Sequence, residues 1–411
     1  MIYWAHGLTM GPLFYWSDYK MSEKEYTSFE DRITLLRKRG MKIRGNATNE
    51  LKILKENNYY NLVNGYKHLF LDKVEMGKAS NIHNEEIFKF GTKPSELHSV
   101  MKFDNNMRAH FLKEILTIEN KVKHAIVQAF YETFENENLH KEYEYTKDKY
   151  YKLTKEYIVQ KTNRKLWQHE SRFEKTLQLP IRNDYVYESD YEEIDRNDIY
   201  DTFKYNVNRA IKEQKGKKDS IKSYYNKHHY IPFWILTNIL TLGNISYLFI
   251  ILTDDVAYKA LDKLGIKHSY NELDIYNMHK ILGILTLFRN ICAHNERFIC
   301  ENHSFQIDDY FLNFGESLPH YKEASNSSAS LKYNQRERRK RSKNHLFPLI
   351  YAICIFYDNE RREKFVRKID NELNNLNKKL KSINIDAVKI DMGLDFDIFK
   401  AVGSIENNID E

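Results

Sequence analysis

An all-α fold is what the sequence predicts. Only 14 Gly and 6 Pro occur in 411 residues, which leaves little turn chemistry for a many-stranded sheet. After the helix-start sequence Pro94-Ser95-Glu96, apolar residues recur at intervals of three and four, the spacing of one helix face. They are Phe111, Ile115, Ile118, Val122, Ala125 and Ala129. This pattern predicts one long amphipathic helix that extends to about Phe134.

Two regions precede this helix. Residues 1–25 open with an uncharged stretch that lacks a basic start and contains Gly-Pro, so it fits a signal peptide poorly and is interpreted as an extension outside the core. The sequence of residues 26–94 predicts an N-terminal cap of small helices. Thr27 or Ser28 can cap the first helix, Arg39-Gly40 ends it, and Thr48 starts the second. The third carries Tyr59, Leu62, Val63, Tyr66 and Phe70 on one face.

The long helix, residues 95–134, and residues 223–385 are expected to form the core. Between them, residues 135–222 are polar and rich in Tyr, Lys, Asp and Glu, which indicates an insertion or a mobile lobe. Residues 230–253 carry no charge, but polar side chains interrupt them and Leu242-Gly243-Asn244 indicates a helix break. We therefore expect two buried core helices there and no membrane segment.

The C-terminal part begins with a polar loop. It holds the run Ser325–Ser330 and the basic segment Lys332–Lys343, in which seven Lys or Arg face one Glu. The core resumes at His345–Tyr357, and an amphipathic helix with a candidate partner or dimer face follows. Its apolar residues are Phe365, Ile369, Leu373, Leu376, Leu380 and Ile383. Residues 386–411 are expected to be a tail.

The net charge and the cysteines indicate which partners and which cellular compartment are compatible with the sequence. The net charge of +6 allows an anionic partner without requiring one. Cys292, Cys300 and Cys354 are odd in number and lack metal-ligand spacing, which favours reduced thiols in a cytoplasmic protein.

The candidate site is the stretch FRNICAHNERF, Phe288–Phe298, which follows an apolar helical run. Its Arg289, Asn290 and His294 combine a fixed cation, an amide and an imidazole that titrates near neutrality, as RNA cleavage through the 2′-hydroxyl requires. On a helix Asn290 and His294 share a face, whereas Arg289 and His294 do not. We therefore expect the helix to end near Cys292 or Ala293, so that His294 can turn in a loop.

A competing interpretation makes Arg289 and His294 an ordinary helix end, where a cation and an imidazole satisfy the last carbonyls. The spacing alone is weak evidence, since Arg164–His169 and Arg339–His345 also have an Arg and a His with four to six residues between them. The first match lacks Asn after Arg and lies in the polar insertion. The second lies in a run so basic that a match is nearly unavoidable.

A set of five blocks resembles the Abi-like abortive-infection proteins of bacteria. The blocks are SFEDRITLLRKRGMKI with NNYYNLVNGYKHLF, FDNNMRAHFLKEILTIENKVKHAI, IPFWILTNILTLGNISYLF and FRNICAHNERF, in the family's order across residues 28–298. The spacing R-N-x3-H is also similar to that of HEPN-domain ribonucleases. Lys123 stands where the family leads us to expect Arg, and Asn238 stands where many members carry Glu.

The resemblance implies a HEPN-like helical bundle, related to the nuclease domains of type VI CRISPR effectors, in an RNA-cleaving toxin of antiviral defence. It assigns catalysis to Arg289, Asn290 and His294, without a metal or other cofactor. Acid–base cleavage usually needs two proton-transfer groups, and the motif of one chain offers one His. We therefore expect a homodimer in which two motifs meet. The other interpretation is a scaffold that holds a small structured RNA or a protein partner without cutting it. In either case an antitoxin, protein or RNA, is an expected partner.

Neighbouring residues offer further candidates for substrate binding. Asn295 and Arg297 can touch RNA or fix the loop, and a short turn after a helix favours the loop-fixing role of Asn. Arg338, Arg339 and Arg341 in the basic segment can contact the RNA backbone or form a solvated loop. The pair His228-His229 has no carboxylate or Cys at ligand spacing, so no metal site is predicted there.

Overall fold

The computed structural model describes residues 26–78, 85–159, 172–173, 180–181, 191–214, 217, 219–270, 272–303, 344–403 and 405. Over these residues the all-α prediction is confirmed, since helices dominate and the strands form two short antiparallel pairs. Within the same ranges, no helix combines the length and apolar composition needed to cross a bilayer. The extension at 1–25 and the basic segment lie outside the described residues.

The N-terminal cap has the predicted helices. They are α1 (Phe29–Lys38), α2 (Thr48–Glu56), a π-helical turn (Tyr60–Asn64), α3 (Gly65–Phe70) and α4 (Lys73–Met76). Ser28 caps α1 by accepting the amide of Asp31 at 3.1 Å, and Gly40 follows the helix with φ of 92°. Leu62, Val63, Tyr66 and Phe70 are buried, as the common face predicts.

Helix α5 (Pro94–Thr133) is the long amphipathic helix that the apolar spacing predicts, and Phe134 is its C-cap. It packs against α2 and α3 of the cap and against core helices farther along the chain. Burial of its apolar face contributes to the hydrophobic stabilisation of the fold. Phe103, Met107, Phe111, Ile115, Ile118, Val122 and Ile126 are buried.

Much of the polar insertion is folded against the core. Its elements are α6 (Glu142–Tyr145), a 3₁₀ turn (Asp148–Tyr150), β1 (Lys155–Val159), β2 (Arg172–Phe173), β3 (Pro180–Ile181), β4 (Tyr191–Asp195), α7 (Arg196–Gln214) and α8 (Asp219–His228). Buried Tyr145 donates to the carbonyl of Ile231 at 2.8 Å. The fully buried Arg196 donates to the carbonyl of Ile250 at 2.7 Å, which ties the insertion to a core helix.

Residues 230–253 form two helices, as predicted, but Trp234 of the first is exposed and the expected position of the break between them is wrong. Helix α9 (Phe233–Leu236) ends before Thr241, and Leu242-Gly243-Asn244 form the first turn of α10 (Leu242–Ile251). Thr241 caps α10 by accepting the amide of Asn244 at 3.2 Å. Gly243 serves close packing, since a Cβ there would lie 3.3 Å from Cγ2 of Thr286.

The two departures from the family pattern occupy different surroundings. Lys123 lies buried on α5 and donates to Oε1 of Glu119 at 2.6 Å and to the carbonyl of Leu240 at 2.8 Å. Asn238 donates to the carbonyl of Trp234 at 3.1 Å. The buried charge of Lys123 is therefore compensated within α5, without a carboxylate at position 238.

The remaining helices complete the core. They are α11 (Asp254–Lys263), α12 (Glu272–Ala293), α13 (Leu346–Cys354), α14 (Asn359–Asn377), α15 (Ile385–Asp391) and α16 (Ile398–Gly403). The amphipathic helix expected to reach Ile383 ends at Asn377. Its apolar face is not free for a partner, because Phe365, Ile369 and Leu373 are buried where α14 packs on α5 and α16.

Candidate functional site

The motif lies at the C-terminal end of α12. This helix ends at Ala293, within the predicted range, and its apolar residues Met278, Leu282 and Leu285 are fully buried. The amide of His294 still donates to the carbonyl of Asn290 at 2.9 Å, so the two residues share a helix face. The side chains of both Asn290 and His294 are exposed.

The turn after His294 has the geometry of a Schellman cap. Asn295 adopts the left-handed conformation, with φ of 60°, and the amide of Glu296 donates to the carbonyl of Ile291 at 3.1 Å. Asn is one of the few residues other than Gly that tolerate this backbone region. The chain therefore reverses abruptly and leaves the imidazole at the surface.

Two buried charged residues of α5 hold this turn in place. Oδ1 of Asp104 accepts the amides of Phe298 at 3.0 Å and Ile299 at 2.8 Å. One guanidinium nitrogen of Arg108 donates to the carbonyl of Glu296 at 2.9 Å, and its Nε lies 3.5 Å from Oδ2 of Asp104. Since Asp104 is fully buried and Arg108 is 8% exposed, water competes little for these contacts.

Arg297 connects the same turn to the N-terminal cap. Its Nη1 donates to the carbonyl of Gly65 at 3.2 Å. A Cβ at Gly65 would lie 3.3 Å from Cδ of Arg297, closer than a relaxed contact. The absence of a side chain at Gly65 thus lets the guanidinium stem lie against the start of α3.

A cavity of about 620 Å³ opens where the cap, α5 and this turn meet. Amide side chains form one part of its wall, namely Asn57, Asn58, Asn61, Asn105 and Asn295. Charged or titratable side chains form another, namely Glu56, Arg108, His294, Glu296, Arg297 and Glu301. Tyr66 and Met101 also contribute to the wall. The predicted His294, Asn295 and Arg297 therefore meet in one concave site.

Burial perturbs several titratable groups around the cavity. It raises the pKa of Asp104, an effect that the amides of Ile299 and Phe298 and the Arg108 guanidinium partly offset. Burial and the charge of Glu296 raise the pKa of Glu301. Burial also raises the pKa of the Cys292 thiol to about 12, so this thiol stays protonated at neutral pH.

Arg289 does not line the cavity. Its side chain is half-buried on α12, and Nη1 makes a long contact of 3.5 Å with Oδ1 of Asn290. The guanidinium groups of Arg108 and Arg297 line the cavity instead, but backbone carbonyls engage both of them. Arg338, Arg339 and Arg341 lie outside the described residues, as do the Arg and His of the 164–169 match.

Asp104 and Arg108 lie within one of the family blocks, but their part in the site was not predicted from the sequence. A signal was present, because an Asp and an Arg four residues apart lie on the apolar face of α5. Charged residues on a buried face need partners, which here are the backbone of the motif's own turn. Among the residues that the structure describes, no group of His, Cys, Asp and Glu is arranged to hold a metal ion.

Comparison with known proteins gives one match. The chain matches no curated protein and no solved structure. The family model described as Abi-like protein matches residues 52–300, more than half of the chain. This span includes the cap segment from Asn57 to Tyr66, helix α5 and the whole motif at the end of α12. The chain therefore belongs to the Abi-like protein family.

Proposed function

We propose that this protein is a metal-independent endoribonuclease toxin of abortive-infection defence, with His294 as its proton-transfer residue. The observation that carries the proposal is the exposed imidazole of His294 in the wall of a cavity, on a turn that Asp104 and Arg108 hold in place. Family membership supports the defensive role, and the spacing R-N-x3-H supports a HEPN-type nuclease.

The proposed reaction needs only the RNA and acid–base groups. A base removes the proton of a 2′-hydroxyl, whose oxygen attacks the adjacent phosphorus while the bond to the 5′-oxygen breaks. An acid returns a proton to that oxygen, which leaves a 2′,3′-cyclic phosphate and a 5′-hydroxyl. His294 transfers the proton, Arg289 stabilises charge on the phosphate and Asn290 orients the imidazole or the scissile group.

A second copy of the chain is part of the proposal. Positions 289 and 294 lie about 140° apart around an ideal helix, and Arg289 is absent from the cavity wall. A two-fold pairing of motifs would bring Arg289 of one copy near His294 of the other. It would also supply the second imidazole for acid–base catalysis.

The test compares wild type, His294→Ala and His124→Ala on mixed RNA in EDTA. His124 is an exposed histidine on α5 outside the cavity wall, so its replacement is a matched control. We expect wild type and His124→Ala to produce 2′,3′-cyclic phosphate ends, and His294→Ala to lose cleavage by at least about 100-fold. Cleavage that survives in His294→Ala would remove the catalytic assignment.

A non-cleaving scaffold for a small structured RNA is the alternative. The cavity does not distinguish the two, since a binding protein also needs a concave polar site. RNA that co-purifies with both wild type and His294→Ala, with no cleavage by either, would favour the scaffold. DNA of the same sequence should remain intact in the nuclease case, because it lacks the 2′-hydroxyl.

A further inference from the structure

We propose that the cavity beside His294 is a base-recognition pocket that takes an unpaired adenine of the RNA. This inference rests on the proposed function for the identity of the polymer, and adds which part of the RNA the site recognises. Asparagine side chains from three separate segments of the chain converge there: residues 57–61 of the cap, Asn105 of α5 and Asn295 after α12.

The amides keep hydrogen-bonding capacity for a ligand. Asn61 and Asn295 make no side-chain hydrogen bond within the described part of the chain. Asn57 uses its Nδ2 on the carbonyl of Ile53 at 2.8 Å and retains its oxygen. Asn58 uses its Oδ1 on the amide of Tyr60 at 2.8 Å and retains its NH₂ group. The wall therefore presents both donors and acceptors.

The π-helical turn explains why Asn61 is available. Asn58 accepts the amides of Tyr60 and Asn61 and thereby fixes the start of this widened turn, Tyr60–Asn64. Such turns are rare and occur frequently at functional sites. Buried Leu62 and Val63 anchor the turn to the core, while Asn61 on the same turn remains exposed in the cavity wall.

Charge and size favour a base over a phosphate. Three carboxylates, those of Glu56, Glu296 and Glu301, line the wall together with two guanidinium groups that already bind carbonyls. Carboxylates repel a phosphate but accept hydrogen bonds from an exocyclic amine. A volume of about 620 Å³ lies within the range of pockets for small ligands.

The choice of adenine follows from hydrogen-bond patterns. A side-chain amide can pair with N6 and N7 of adenine through two hydrogen bonds. Uracil has no exocyclic amine to donate to the carboxylates, so the same wall discriminates against it. The ring of Tyr66 and the side chain of Met101 give the pocket an apolar surface for the base to contact.

The test measures binding of uncleavable 2′-O-methyl trinucleotides, UAU, UCU, UGU and UUU, to the full chain. We expect UAU to bind most tightly and UUU at least about tenfold more weakly. Asn61→Ala should weaken UAU binding roughly tenfold. Asn64→Ala should match wild type, because Asn64 lies on the same turn, makes no side-chain cap and does not line the cavity.

A second variant guards against a folding artefact. Asn295→Gly preserves the left-handed backbone while removing the amide, and we expect weaker UAU binding with an unchanged melting temperature. The inference is overturned if UCU, UGU or UUU binds as tightly as UAU, if no trinucleotide binds, or if Asn61→Ala and Asn295→Gly bind like wild type. Selective UAU binding without cleavage of natural RNA would support the pocket and refute the nuclease, so the two failures are distinguishable.

Discussion

Asp104 is the position where a single substitution should most clearly reveal how the site is built. Its carboxylate is fully buried and accepts two amides of the turn, those of Phe298 and Ile299. Asp104→Ala leaves both amides without their acceptor and leaves the buried Arg108 without a facing carboxylate. A buried amide that loses its partner costs about 1–3 kcal/mol, and an uncompensated buried charge costs about 3–5 kcal/mol.

These costs overlap, because the turn and Arg108 can relax together. We therefore expect Asp104→Ala to lower the free energy of unfolding by about 3–5 kcal/mol in total. Asp104→Asn retains an oxygen for the amides and loses only the charge, so its expected cost is about 1–3 kcal/mol. Lys102→Ala, on an exposed position of the same helix, should change stability by no more than about 0.5 kcal/mol.

The assay unfolds the four proteins in urea and monitors the transition by near-ultraviolet circular dichroism. Amide hydrogen exchange at Phe298 and Ile299 is measured separately on the folded proteins. An unchanged slope with a lower midpoint would show that stability itself has changed. Exchange at these two amides should accelerate in Asp104→Ala and remain slow in Lys102→Ala. If Asp104→Ala unfolds at the same urea concentration as Lys102→Ala, Asp104 does not hold the turn.

Four other outcomes are expected. Exchange of subunits between equal amounts of wild type and His294→Ala should lower cleavage to about a quarter of that of wild type at the same total concentration, because the mixed dimers, about half of the total, hold only one imidazole; a fall to about half would argue against a shared site. Burial raises the pKa of the Cys292 thiol to about 12, so iodoacetamide at pH 8 should label it far more slowly in the folded than in the urea-unfolded chain, as mass spectrometry can show. Gly65→Ala should displace Arg297 and reduce the rate of RNA cleavage with little change in the melting temperature. Cleavage at the wild-type rate would show that the contact between Gly65 and Arg297 is dispensable. Burial alone would raise the pKa of the Glu114 carboxyl, but hydrogen bonds from Tyr357 and Arg361 hold it below its usual value. The stability that Glu114 contributes is therefore present above its pKa in the unfolded chain and is lost as pH falls through its pKa in the folded chain. Glu114→Gln should flatten the acid side of the curve of unfolding free energy against pH below about pH 5.

The helices were predictable where local chemistry decides the structure. Ser28 and Pro94 mark helix starts through their own hydrogen bonding and backbone preference, and both starts are as expected. The break expected at Leu242-Gly243-Asn244 was wrong, because Gly243 was interpreted from its local preference for turns. In the structure, close packing against Thr286 of α12 favours a residue without a side chain. That contact involves a residue 43 positions away, which the local pattern does not contain.

The site was predictable only in part for a similar reason. The end of α12 near Ala293 follows from the local spacing of Arg289 and His294, which do not share a helix face. The contacts that position the turn come from Arg108, 188 residues earlier, and from Gly65, 232 residues earlier. Such contacts depend on how α5 and α3 pack, and helical periodicity alone does not specify which polar residues meet across the core.

The engagement of the arginines bears on whether one chain can form a complete site. Stabilising a phosphate that gains charge requires a guanidinium whose N–H groups can reach it. Arg108 and Arg297 line the cavity, but moving either one would leave a backbone carbonyl without its donor. Arg289 has only its long contact with Asn290 in the described structure, so it can turn toward RNA at little cost, yet it lies outside the cavity wall. A site that needs both His294 and a free guanidinium is therefore completed more easily by Arg289 of a second copy than by either arginine already in the wall.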